Sequence, residues 1–334
     1  MDAKELIRQV LAAQRDLYLR SGDKILFVVD DPGVIIPARD ALLGYPYPYE
    51  VVIIPKKERP GQDYELDESR LNDKTVGWLI TSVSASHSPA TKKMLDRKMF
   101  LISNPGITPD WPVILDPSNR EPCHQKAERI LEAIGGDVGG EIHISADDGT
   151  SLWLLVPDGN WQKEVGQRDG VGTNGPYGEL CTAPFEANGV YVLKPGDFLT
   201  NPINEITKPI RLEIKSNHVI QILGGEQAEM LIKMLDDAKN QKAFSLGEFS
   251  FGLNPGRPRQ LHRSVIAEKL DGGIHIAIGT NAVCLKEDCP DIGKFQYGRY
   301  SAGVHVDCVK FGARVIFDSG SGEIVIVRQG RLVV

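Results

Sequence analysis

Ile25-Leu26-Phe27-Val28-Val29 places five apolar residues in a row with no polar residue among them. A strand with one wet face alternates apolar and polar positions, whereas an unbroken run of this length suits a strand covered on both faces. Val51-Val52-Ile53-Ile54, Val76-Gly77-Trp78-Leu79-Ile80 and Met99-Phe100-Leu101-Ile102 repeat the pattern. Helical stretches lie between them. Residues 2–19 set Leu6, Val10, Leu11, Leu17 and Leu19 among charged residues, the spacing of an amphipathic helix, and Ser21-Gly22-Asp23 stops it. A second helix is expected near residues 34–43. Ser88-Pro89 opens a third, with serine as the cap and proline in the first turn. Residues 122–134 form a fourth, ended by Gly135-Gly136. Residues 56–74 are charged, carry Pro60 and Gly61, and read as a loop. Strands alternating with helices predict an α/β unit with a mostly parallel sheet.

After residue 140 the texture changes. Short strands are expected at residues 141–146, 151–156, 189–193, 210–214 and 219–222, with one helix from Glu226 to about Gln241. The fold class is therefore α/β: an N-terminal α/β domain over residues 1–120, and a larger strand-rich α+β domain over residues 121–334.

Whole-chain properties exclude several functions. Lysine and arginine number 38 against 45 acidic residues, a net charge of −7. That balance argues against nucleic acid or an anionic membrane as partner. No apolar run approaches the roughly 20 residues of a membrane span. The acidic start Met1-Asp2-Ala3-Lys4-Glu5 does not read as a signal peptide, and five scattered cysteines suit reduced thiols, so a cytoplasmic location is expected. Gly170-Val171-Gly172-Thr173-Asn174-Gly175 matches a dinucleotide fingerprint, but no apolar strand precedes it and Pro176 follows it. Ser82, Ser84, Ser86, His87 and Ser88 read as turn and capping residues before they read as an anion site.

Candidate chemistry gathers late in the chain. His275 sits in Ile274-His275-Ile276-Ala277-Ile278 and His305 in Val304-His305-Val306-Asp307, both with the composition of buried strands. Alternate side chains of a strand share a face, so His305 and Asp307 point together. Two imidazoles and a carboxylate suit an open metal site; they also suit a hydrogen-bonded histidine–aspartate pair inside a core. Glu179 in Gly178-Glu179-Leu180-Cys181-Thr182-Ala183-Pro184 and Glu248 in Leu246-Gly247-Glu248-Phe249 add carboxylates in small or apolar surroundings, where burial is expensive without a cation or hydrogen bonds.

Together these segments resemble a known set. Gly178-Glu179-x-x-Thr182-Ala183-Pro184, Gly247-Glu248-x-x-x-Gly252-x-Asn254-Pro255, Glu268-Lys269-x-x-Gly272-x-x-His275-Ile276-Ala277-x-Gly279 and His305-x-Asp307, in that order, are similar to the thermophilic metallo-aminopeptidase family of aminopeptidases T and S. The resemblance implies a homodimer with two divalent ions, zinc, cobalt or manganese, held by Glu179, Glu248, His275, His305 and Asp307. It implies an aminopeptidase that takes a peptide or small-molecule substrate and cleaves through a metal-activated water; Glu248 and, outside the implied ligand set, Glu268 are the candidate catalytic residues. Glu268 reads equally as an orienting group or proton carrier and as the partner of Lys269 or Arg263 on a surface turn. Ring-cleaving dioxygenases acting on 2,5-dihydroxypyridine resemble the same scaffold and use one Fe(II), for which His275, His305 and Asp307 are the matching triad. A catalytically silent metal-binding protein on this scaffold is a third reading.

The chain departs from the peptidases in places. Where they carry a tyrosine after the first histidine motif, it reads Gly279-Thr280-Asn281-Ala282-Val283-Cys284, leaving Tyr297 and Tyr300 as candidates to replace it. Cys284 and Cys289 read as loop thiols rather than a zinc pair, and Cys308 is expected to face away from the metal side. The basic segment from Arg257 and Arg259 to His262 and Arg263 reads as a solvated loop or as a contact for a substrate carboxylate.

Overall fold

The computed structural model describes residues 2–57, 60–86, 88–168, 172–200 and 202–334. The first part runs α1 (Ala3–Tyr18), β1 (Ile25–Val29), α2 (Ile35–Ala41), β2 (Tyr49–Ile53), β3 (Val76–Thr81), α3 (Pro89–Asp96), β4 (Phe100–Pro105), α4 (Trp111–Ile114) and α5 (Arg120–Ile134). Local chemistry sets the ends. The Asp2 carboxylate accepts from the Glu5 amide at the start of α1, and the Ser88 hydroxyl accepts from the Thr91 amide at the start of α3. Gly135 closes α5 in the left-handed conformation. All five residues of β1 are buried, as a strand in the middle of a parallel sheet requires.

The second part runs β5 (Gly140–Ser145), β6 (Ser151–Val156), β7 (Gln162–Glu164), β8 (Gly172–Asn174), β9 (Glu179–Thr182), β10 (Glu186–Leu193), β11 (Phe198–Leu199), β12 (Asn204–Glu205), β13 (Ile210–Lys215) and β14 (His218–Leu223). It continues with α6 (Glu226–Asp236), β15 (Leu246–Gly252), α7 (Ser264–Ala267), β16 (Ile274–Gly279), β17 (His305–Lys310), β18 (Arg314–Asp318), β19 (Glu323–Arg328) and β20 (Arg331–Leu332).

Three sheets result. The first has the order β2-β1-β3-β4-β8 and is parallel throughout. Its last strand comes from the second part of the chain: β8 pairs with β4 through Leu101–Gly172, Ile102–Thr173 and Ser103–Asn174. The glycine pattern at 170–175 therefore contributes a strand, with no helix after it; Gly170 and Val171 lie outside the described residues, as does His87. The other two sheets are antiparallel, of order β14-β13-β10-β6-β5-β18-β19-β20 and β12-β11-β17-β16-β15-β9-β7. The fold is thus mixed α/β, with an N-terminal parallel sheet and a larger antiparallel region.

Alternation decides which way the last sheet faces. Leu180, Phe249, Phe251, Ile274, Ile276, Ile278, Val306 and Cys308 enter the main hydrophobic core, together with Ile142, Leu152 and Leu154 from the eight-stranded sheet. Their neighbours one position along the strands, Glu179, Cys181, Glu248, His275, His305 and Asp307, line a cavity of about 700 Å³. The far wall of that cavity is the end of the first sheet, through Ser84, Ser86, Ser103 and Pro105. No helix among the described residues is long and apolar enough to cross a membrane.

Candidate metal centre

Four adjacent strands deliver the acidic and imidazole groups. Register sets Ser250 opposite His275, Asp307 opposite Ala277, and His305 opposite Gly279. Glu248 owes its place to a bulge: the pairing of β15 with β16 shifts between Leu246 and Glu248. Gly247 is the extra residue, and a Cβ there would lie 2.4 Å from the Thr280 carbonyl oxygen, so only glycine lets the strands close. Gly178, beside Glu179, is equally constrained. Its φ is +125° and a Cβ would meet the Asn254 Cβ at 2.6 Å.

Glu248 stands between the two histidines. Its Oε1 is 3.4 Å from His275 Nε2 and its Oε2 is 3.1 Å from His305 Nε2. His305 Nε2 also lies 3.1 Å from Asp307 Oδ1, and His275 Nε2 lies 3.8 Å from Glu179 Oε2. The donor atoms therefore form two groups, each drawn within 4.8 Å: Glu179, Glu248 and His275; and Glu248, His305 and Asp307. Glu248 belongs to both. Among the described residues, His275, His305 and Asp307 are not gathered into one such group.

Surrounding bonds orient these ligands. His305 Nδ1 is 2.8 Å from the Thr280 carbonyl oxygen, which can only accept, so Nδ1 carries the proton and Nε2 faces the carboxylates. The Thr200 hydroxyl donates to Asp307 Oδ2 and accepts from the Asp307 amide. Neither ring nitrogen of the fully buried His275 makes a hydrogen bond, an expensive arrangement for imidazole unless another partner is supplied. Glu179, Glu248 and Glu268 are also buried. These donors fit divalent ions by type, by shared geometry and by the unsatisfied imidazole.

Charge at the site is one-sided. Glu164, Glu179, Glu248, Glu268 and Asp307 are five carboxylates, and one buried ammonium, Lys269, stands among them. Lys269 Nζ is 2.5 Å from Glu179 Oε1, 3.2 Å from Glu268 Oε1 and 3.5 Å from Glu164 Oε2. Burial pushes the Glu268 carboxyl up to about 8 despite Lys269. Burial would push the His275 imidazole down, but Glu248 against it, with Glu179 and Glu268 behind, lifts it to about 9. Burial would raise Glu248, yet the two histidines hold it well below the usual carboxylate range.

The sequence-predicted residues thus converge: Glu179, Glu248, His275, His305, Asp307 and Glu268 all line the cavity. The surface-turn reading of Glu268 is overturned, because Glu268 and Lys269 are both buried. Cys284, read as a loop thiol, is buried and donates from Sγ to Glu248 Oε2 at 2.9 Å. Lys269 and Cys284 are the residues that sequence reasoning missed. The one signal for Lys269 was its place inside the Glu268 motif. Tyr297 and Tyr300 do not line the cavity; they pack on each other and beside Lys242. Cys308 turns into the core, as strand alternation required. Ser88 caps α3, Ser82 donates to Asp30, and Ser86 donates to Ser103, so these serines do turn and capping work, while Ser84 and Ser86 face the cavity. Of the basic segment, Arg263 lines the cavity, whereas Arg257 lies outside it, 3.7 Å from Asp271.

Comparison with known proteins gives relatives in fold. Residues 114–263 match the family described as NicX, 2,5-dihydroxypyridine 5,6-dioxygenase. The 2,5-dihydroxypyridine dioxygenase from Pseudomonas putida KT2440 is similar in structure, with a TM-score of 0.72 and 17% identity, covering 100% of this chain and 98% of that one. Wild-type AmpT from Thermus thermophilus is similar with a TM-score of 0.67 and 15% identity, covering 99% of this chain and 100% of that one. No curated protein matches the sequence.

Proposed function

We propose that this chain is a metal-dependent hydrolase of the aminopeptidase type, removing the N-terminal residue from small peptides. The observation that carries the reading is Glu248, which belongs to both groups of three donors and sets Oε1 beside His275 and Oε2 beside His305. Five carboxyl groups stand around one ammonium, an acid-rich surrounding that divalent cations would offset. Glu179 and His275 would hold one ion, His305 and Asp307 the other, with Glu248 between. Bound there, divalent ions lower the pKa of a coordinated water and polarise an amide carbonyl.

The chain's own groups do the remaining work. Lys269 pins one oxygen of Glu179 and leaves the other turned to His275. The Thr280 carbonyl fixes the ring of His305, and Thr200 fixes Asp307. Glu268 Oε1 is held by Lys269, while Glu268 Oε2 has no hydrogen-bond partner. That free oxygen, on a buried side chain lining the cavity, can take the proton that water gives up and pass it to the leaving amine. The amide C–N bond breaks, a C–O bond forms, and the amine leaves neutralised.

The test is to reload metal-stripped protein with zinc, cobalt or manganese, count ions per chain, and assay aminoacyl amides and dipeptides. Two ions and cleavage that Glu248→Gln abolishes are expected. The second reading, a ring-cleaving dioxygenase with one Fe(II), is favoured by the match over residues 114–263, which stops short of both histidines. One ion per chain at saturation, with oxygen uptake on 2,5-dihydroxypyridine that His305→Ala removes, would replace the hydrolase reading with this one.

A further inference from the structure

We infer that the two donor groups take up divalent ions in a fixed order, the first beside His305 and Asp307 and the second, at least about tenfold more weakly, beside Glu179 and His275, so that ambient metal ion sets whether the centre holds one ion or two. This deepens the hydrolase reading, on which it rests for its two ions; the order itself rests on what surrounds each ligand.

The His305–Asp307 group is gripped from behind by neutral partners. His305 Nδ1 is 2.8 Å from the Thr280 carbonyl oxygen. Thr280 is itself fixed: its amide and its hydroxyl both donate to the Val304 carbonyl, and its hydroxyl accepts from the Ala302 amide. Asp307 is tied to Thr200 three times. The Thr200 hydroxyl donates to Asp307 Oδ2 at 2.9 Å and accepts from the Asp307 amide at 2.7 Å, and the Thr200 amide donates to the Asp307 carbonyl at 3.1 Å. Asp307 Oδ1 faces His305 Nε2 at 3.1 Å. Among the described residues no lysine or arginine pairs with Asp307 or Glu248. Ligands held in this way lose little freedom when an ion binds.

The Glu179–His275 group lacks this support. Neither ring nitrogen of His275 has a hydrogen-bond partner, and an ion on Nε2 would leave Nδ1 bare. A metal-ligating imidazole ordinarily hands its second N–H to an acceptor, and loss of such a partner costs about 10–100-fold in affinity. Glu179 is shared with a cation. Lys269 Nζ lies 2.5 Å from Glu179 Oε1, so an ion on this carboxylate meets a charge already engaged and is repelled by the ammonium beside it. The other oxygen, Glu179 Oε2, is 3.5 Å from the Ser250 hydroxyl, which lies closer, at 3.2 Å, to the Leu180 carbonyl. Glu164 and Glu268 bring further acid to this side, but both face the same ammonium, and neither enters a donor group among the described residues. Glu248 serves both groups and does not separate them.

The experiment is equilibrium dialysis of the metal-stripped chain against manganese, with bound ion counted over a range of free ion and no substrate present. Two steps are expected, the first at least about tenfold tighter. His275→Asn should abolish the second step and leave the first; His305→Asn should abolish the first and leave one weak step. Thr200→Val should weaken the first step by about tenfold and leave the second, and Thr200→Ser should keep the wild-type first step. Thr200→Val retains every ligand, so it tests the order even where a ligand variant does not fold. Two equal steps, a tight step that survives His305→Asn or disappears in His275→Asn, or a Thr200→Val chain with both steps weakened alike would overturn the order. Two equal steps in a protein that cleaves dipeptides would sink the order alone. Two unequal steps, assigned as above, in a protein that cleaves no aminoacyl amide would sink the hydrolase reading alone. One ion at saturation would overturn both.

Discussion

Two lysines among the described residues are fully buried, and their surroundings differ in kind. Lys310, at the end of β17, donates to Asp148 and to the Val192 carbonyl and lies 3.6 Å from Asp197. Its acids are satisfied in turn: Asp148 also accepts from the amide and hydroxyl of Thr150, and Asp197 from the amides of Lys194 and Phe311. Lys269 is held by three carboxylates, with two more nearby, and Glu164 Oε2, Glu268 Oε2 and both His275 nitrogens make no hydrogen bond. The first lysine closes a local account of charge and hydrogen bonds; the second leaves one open. Buried charge that is fully met is architecture. Buried charge left over is where a cation is expected.

The sharpest way to break this contrast is to remove each ammonium. Lys310→Met strands two acids and should cost about 3–5 kcal/mol of stability. Lys269→Met should cost at least as much in metal-free protein. In urea titrations, saturating manganese or zinc should narrow the gap between Lys269→Met and the equally loaded parent chain and leave the gap for Lys310→Met unchanged. Equal behaviour with added ions would erase the distinction. Next in size is the wild-type response to metal: an ion present at a hundred times its dissociation constant should add about 2.7 kcal/mol, reversed by chelator.

Acid should probe the other lysine. Burial alone would raise the Asp148 carboxyl, but Lys310 and Thr150 hold it below its ordinary value. A carboxylate with a depressed pKa stabilises the fold above its unfolded pKa of about 4 and loses that contribution as pH falls through the folded value. Denaturation midpoints measured below pH 4 should therefore fall less steeply for Asp148→Asn than for the parent chain. The smallest expected effect is at Cys284. Its thiol is a weak donor to Glu248, so Cys284→Ala should lower metal affinity by no more than about tenfold, and Cys284→Ser by less. A larger loss would make the thiol a principal support of Glu248.

Much of this was legible before the fold was seen. The apolar runs placed β1 to β4, and period-two alternation put His305 and Asp307 on one face with Cys308 on the other. The acids and imidazoles could be gathered because each sits in a short local motif. What could not be read depends on pairing between distant segments. That Glu248 is common to both donor groups follows from the bulge at Gly247 and from the register of β15 on β16. That Lys269 is buried follows from the packing of α7 against β11 and β17 and from the bonding of the following turn, where the Lys269 carbonyl accepts from the Leu253 and Asn254 amides. Glu268-Lys269 looks in sequence like any exposed acid–base neighbour pair, and nothing local separates it from one.

The short strand β8 carries a consequence for anyone who would divide this chain. A fragment ending near residue 120 would keep β1 to β4 but lose the segment that caps β4. The bared edge Leu101-Ile102-Ser103 would offer unpaired amides and carbonyls flanked by apolar side chains, a template for strand addition from other molecules. Such a fragment should self-associate. Supplying residues 172–174 in trans, or fusing them back through a linker, should restore solubility in proportion to how well the edge is covered.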